Sequence, residues 1–159
     1  MSSERMTVRR PSFTYHAAMP GHWNPRRPEF SHIVNAASLA MPYLEPYLIK
    51  SMRAARERIG DPTLQRALDE YVAQESMHFG QHRRFNDTLI ARGYRCIEGL
   101  QSRMAADFAR LGATRSLEFN LAYAEGFESM ALAIGEMLIE DREHLFGGSE
   151  SGVASLVLW

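Results

Sequence analysis

The stretch Gln74-Glu75-Ser76-Met77-His78-Phe79-Gly80-Gln81-His82 sets a carboxylate and two imidazoles three and four residues apart. Those intervals bring side chains together on one face of a helix. Stepping along the same face gives Leu64, Leu68, Tyr71, Glu75, His78, His82, Phe85 and Leu89. The ends of that row are apolar, so it must turn toward other helices, and the ionisable groups in its middle turn inward with it. A carboxylate in such a place is protonated, hydrogen-bonded, paired or bound to a cation, because isolated charge is expensive to bury. One cation would relieve several of these groups at once. The order of residues differs from His-Glu-x-x-His, where the acid lies between two ligands as a general base, and so speaks against a thermolysin-type site.

Two further helical rows carry acids. Ser38, Met41, Glu45, Leu48, Met52, Ala55 and Ile59 form one, and Glu118, Leu121, Glu125, Glu128, Leu132, Gly135 and Ile139 the other. Pro42 and Pro46 flank Glu45, and a proline inside a helix costs about 3 kcal/mol by deleting a hydrogen bond and crowding the preceding turn. The break either aims Glu45 at a metal and frees carbonyls, or is a kink that fits two helices together. Di-metal bundles of the ferritin type take a lone Glu from each of two helices and Glu-x-x-His from each of two others. Here Glu45, Glu75, His78 and Glu125 fit three of those four helices, with no second Glu-x-x-His. His82 is a further ligand or a donor that supports one. Glu118 and Glu128 are left as ligands, supporting groups or solvated acids. Such ligands suit iron, manganese or zinc, as one ion or two. The competing reading is a metal-free buried hydrogen-bonded network. His16, His22 and His32 read as surface or packing groups, and His144 as a favourable cation at a helix C-terminus. Met19, Met41, Met52, Met77, Met104, Met130 and Met137 read as core filler.

The elements that must hold these residues are helical almost throughout. Pro11, Pro20, Pro25 and Pro28 with Arg9, Arg10, Arg26 and Arg27 make residues 1–30 an arm, and 31–159 the helical domain. Ser31 is the expected cap of a first long helix, ending at Ile59 with Gly60 in the left-handed conformation. Asp61-Pro62 opens a second helix that reaches Gly93. Each would be roughly 45 Å long at the rise of an α-helix. Leu100, Met104, Phe108 and Leu111 mark a shorter amphipathic connection. Thr114 or Ser116 caps a third long helix running to about His144, and after Gly147-Gly148 a last apolar piece opens at Ser149 or Ser151.

With 159 residues, 45% hydrophobic and 23% charged, the chain holds one domain's worth of core. A net charge of −1 gives no reason to expect nucleic acid. The single Cys96 excludes an internal disulfide, and the absence of a long apolar run excludes a membrane helix or secretory signal. The expected location is the cytoplasm.

Asn35-Ala36-Ala37-Ser38-Leu39, Pro42-x-x-Glu45, Asp61-Pro62-x-Leu64, Gln74-Glu75-x-x-His78-x-x-x-His82-x-x-Phe85-Asn86 and Ala122-Tyr123-Ala124-Glu125-Gly126-Phe127-Glu128 together resemble the bacterial family of predicted metal-dependent hydrolases. The resemblance spans nearly the whole chain. It implies an all-α, ferritin-like antiparallel bundle and a metal held by Glu45, Glu75, His78 and Glu125, with His82 beside them. It also implies a further ligand-bearing helix after Leu158-Trp159, so the chain is expected to be a fragment. The reading independent of family agrees, since three long amphipathic helices leave a seam that a fourth helix, or a second copy of the chain, would cover. The expected activity is metal-dependent hydrolysis of a small molecule. Di-iron oxidation or oxygenation is the alternative, and a non-catalytic helical protein that pairs with a partner helix is the third reading.

Overall fold

A computed structural model of the chain describes residues 7–16 and 18–159. The described residues form six helices and no strand: α1 (Pro28–Arg56), α2 (Pro62–Ala91), α3 (Cys96–Thr114), α4 (Leu117–Glu140), α5 (Arg142–Phe146) and α6 (Ser151–Val157). The all-α expectation holds. α1 is the central helix, packed against α2, α3 and α4. No helix among the described residues is long and apolar enough to cross a membrane.

α1 begins ahead of the expected Ser31, because Pro28 suits a first turn where its missing N–H has no bond to lose. The Ser31 hydroxyl instead accepts the Asn24 N–H at 3.0 Å. Asn24, fully buried, accepts the N–H groups of Arg26 and Arg27 at 3.1 and 3.2 Å and donates to the Leu145 carbonyl at 2.7 Å. The segment before α1 is thereby tied to α5. α1 ends at Arg56, and Gly60 does not take a positive φ. The Ile59 carbonyl is satisfied there by the Gln65 side chain at 2.7 Å.

α2 starts as its sequence predicts, with the Asp61 side chain accepting from the Thr63 N–H at 2.8 Å and Pro62 in the first turn. It ends at Ala91, just short of the expected Gly93, whose φ of 100° lets the Gly93 and Tyr94 N–H groups reach the Ile90 and Leu89 carbonyls. The expected connection is a full helix, α3. Ser116 caps α4 through the Phe119 N–H at 3.2 Å. The run expected to reach His144 breaks at Asp141, and α5 follows. Glu150, not Ser149 or Ser151, caps α6, accepting from the Val153 N–H at 2.8 Å.

Two apolar clusters result. One joins Met19 and Trp23 to the start of α1, the end of α2 and α6, around a fully buried Phe85 and Leu89. The other surrounds Leu44, Tyr47, Leu48 and Ala124 between α1, α3 and α4. Met19 is core as expected, but Met130 and Met137 are about half exposed. α4 is apolar on several sides and buries only the Asn120 and Ala124 stripe against its neighbours, leaving Leu132 and Ile139 exposed as well.

Candidate metal centre

The polar residues that the sequence places on inward rows lie where α1 crosses α2. Glu45 is 2% exposed, and its Oε1 accepts from His78 Nδ1 at 3.0 Å. The same ring nitrogen lies 3.4 Å from Glu75 Oε2. On its other side His78 Nε2 is 3.2 Å from Nε2 of His82. His82 Nδ1 meets Ser38 Oγ at 2.9 Å, and the Ser38 hydroxyl donates to Asn86 Oδ1 at 2.8 Å. The row is therefore a chain of hydrogen bonds, Glu45 to His78 to His82 to Ser38 to Asn86. Within it a single buried atom has no partner: Glu45 Oε2.

Helical spacing explains the convergence. His78 and His82 are one turn apart on α2, and their rings meet edge to face at 4.7 Å between centroids. On α1, Ser38 and Glu45 are seven residues apart on one face. Pro42 lies between them, and the Ser38 carbonyl it leaves without a helical donor accepts from Asn86 Nδ2 at 2.9 Å. The helix continues through Pro42, and the carbonyl it frees is taken by the Asn86 side chain.

The electrostatics follow from this packing. Burial pushes the Glu45 carboxyl up to about 7, against the pull of His78. Burial by itself would lower His78, but its bonds to Glu45 and Glu75 carry it up to about 10. Burial and the neighbouring His78 charge drive His82 down to about 3, so it is neutral. His78 therefore carries two ring protons, one directed at Glu45 and the other at the bare Nε2 of His82.

Glu45, His78 and His82 each offer a ligand atom, and these atoms lie within 4.8 Å of one another. Glu75 borders the group. Glu125, expected beside it, is exposed, because α4 turns the Asn120 and Ala124 face inward. The acid that α4 directs toward the centre is Glu128, half-buried, accepting from the Tyr71 hydroxyl at 2.6 Å. Burial raises its carboxyl, and its charge is felt by Glu45 and Tyr71. Glu118 is a surface acid paired with Arg58 at 2.9 Å.

Sequence reasoning passed over the roles of Ser38, Asn86, Tyr71 and Trp159. Ser38 and Tyr71 lie on the inward rows, and Asn86 follows His82 by one turn, so spacing alone could have marked them. The contact of Trp159, whose ring stands edge to face on His78 at 5.2 Å, had no signal in spacing.

A carboxylate and two imidazoles are a donor set for a borderline divalent metal, and a buried carboxylate oxygen without a partner is the kind of atom a cation satisfies. The residues fit a metal. Comparison with known proteins points the same way: the family described as "Predicted metal-dependent hydrolase" matches residues 7–159. No curated protein and no solved structure matches the chain.

Proposed function

Because the chain belongs to the family of predicted metal-dependent hydrolases, we propose that Glu45, His78 and His82 hold a divalent transition metal at which a small-molecule substrate is hydrolysed. The observation that carries this reading is the unpartnered Oε2 of the buried Glu45, in a cluster whose donor atoms lie within 4.8 Å. A metal there would supply a water of lowered pKa and a Lewis acid for the bond to be cleaved. Glu75 is the candidate proton acceptor, since its carboxylate is next to His78 and more open to solvent than Glu45. Glu128, held by Tyr71, takes the place that the sequence reading gave to Glu125. With Glu75 it would serve a second ion in a ferritin-like, dinuclear version of the site.

The test is elemental analysis of the untagged full chain after loading with Zn2+, Mn2+ or Fe2+, followed by assay against a panel of esters, amides and phosphate esters. At least one equivalent of metal is expected, lost in Glu45→Ala and His78→Ala, with hydrolysis that tracks the bound metal. Substoichiometric metal that neither substitution changes would overturn the reading. Iron-loaded protein that absorbs in the near-ultraviolet and consumes oxygen would replace hydrolysis by oxidation.

A further inference from the structure

The bonds around His82 have only one consistent direction. Pro42 has no N–H, so the Ser38 carbonyl lacks the helical donor from position 42 and takes Asn86 Nδ2 at 2.9 Å. A carbonyl only accepts, which fixes the Asn86 amide with its nitrogen on that side and Oδ1 toward Ser38 Oγ, 2.8 Å away. Oδ1 also only accepts, so the one hydroxyl hydrogen of Ser38 is committed to it. Ser38 Oγ is then free only to accept, and its remaining partner is His82 Nδ1 at 2.9 Å. That nitrogen must carry the proton. In a neutral ring Nε2 is then bare, and it is the nitrogen that faces His78. Ser38 and Asn86 are 1% and 0% exposed, so water does not compete for these bonds.

We propose that Ser38 and Asn86 are positioning residues that lock His82 in its Nδ1–H tautomer and thereby present Nε2 as a metal-ligating atom. The partner of the non-ligating nitrogen commonly decides which imidazole nitrogen a metal receives. Pro42 contributes by removing the backbone donor that would otherwise share the Ser38 carbonyl with Asn86. The proposal rests on the reading of Glu45, His78 and His82 as the metal-holding set.

The test is long-range 1H–15N correlation on the metal-free full chain labelled at histidine, with Zn2+ affinity measured by chelator competition. Wild-type His82 should show a protonated Nδ1 and a bare Nε2. Asn86→Ala frees the Ser38 hydroxyl to donate to His82, and Ser38→Ala removes its acceptor. Both should move His82 toward the Nε2–H form and weaken Zn2+ binding by about 10–100-fold. Ser38→Thr keeps a hydroxyl and should retain the wild-type tautomer and affinity. A wild-type His82 already in the Nε2–H form overturns the proposal, even if the alanine variants do not fold. So does an unchanged tautomer in both alanine variants. Wild-type protein that holds the Nδ1–H form but binds no Zn2+ overturns the metal reading, and with it the ligating role of Nε2.

Discussion

Loading the centre with a cation should expel protons, in a number that changes with pH. In the metal-free chain His78 stays protonated up to about pH 10 and Glu45 up to about pH 7. A cation held by both rings must displace the hydrogen that lies between the two Nε2 atoms, now 3.2 Å apart. Between about pH 7 and 10 each cation therefore releases one proton, and affinity rises about tenfold per pH unit. Below about pH 7 the Glu45 proton is displaced as well, and the slope approaches two decades per unit. From pH 7 to about 10 is three pH units, so at neutral pH the resident proton opposes the metal by about 4 kcal/mol. The assay is Zn2+ titration calorimetry between about pH 6 and 8.5, in buffers of different ionisation enthalpy, which counts the protons directly. Affinity that stays flat across this range, with no proton delivered to the buffer, would refute the reasoning, because the metal would then lie away from the two rings.

The metal-free fold should show a broad stability maximum between about pH 4.5 and 6.5. The contributions of His78 and Glu45, whose folded values are raised, are complete below about 6.5 and 4.5 and are lost as pH rises through about 10 and 7. His82, whose folded value is lowered, contributes fully above about 6.5 and loses that contribution as pH falls through about 3. Urea midpoints that do not vary with pH would contradict this. Phe85→Ala removes a fully buried ring and should cost about 3–5 kcal/mol, read as a lower urea midpoint at constant slope. Gly93→Ala forces a side chain into a φ of 100° and should cost about 1–2 kcal/mol in the same assay. Leu132→Lys and Ile139→Lys, at exposed positions of α4, should change stability by no more than about 0.5 kcal/mol. A loss several times larger would mean that this face is covered in solution.

What the sequence made legible followed the strength of its local signals. The α1 row and the α2 row from Leu68 onward were readable because each alternates between apolar and polar sides, and Asp61-Pro62 leaves the chain little choice of start. Leu64, expected to face inward, is 54% exposed. Glu45, His78 and His82 came out of those rows correctly placed with respect to one another. α4 was harder for a physical reason: Leu121, Met130, Leu132, Ile134, Met137 and Ile139 distribute apolar surface over more than one side, so two inward rows were nearly equivalent. The helix chose the Asn120 and Ala124 row, whose small Ala lets it approach α1, and Asn120 accepts from the Tyr47 hydroxyl at 2.7 Å. That choice sends Glu125 outward and brings Glu128 toward Tyr71. The cap positions erred for a related reason. Ser31 and Gly60 have the right residue types, but Pro28 opens α1 earlier, and the turn after Arg56 satisfies its carbonyls through Gln65 without a left-handed residue.

The polar row lies between two apolar clusters, where a bundle built for stability alone would place leucine and alanine. A buried network kept only for structure is expected to close on itself, because each unsatisfied group carries its full desolvation penalty. This one closes completely at one end. The Asn86 amide, the Ser38 hydroxyl and carbonyl, and both nitrogens of His82 all have partners of fixed direction. At the other end it stays open, with Glu45 Oε2 unpartnered and the second ring proton of His78 held there by Glu45 and Glu75. The open end is where the charged groups are, and the closed end holds a neutral ring in one orientation. A network arranged in this way suits a positive charge at its open end. A proton supplies that charge at one atom, whereas a divalent metal would satisfy the carboxylate and both imidazoles together.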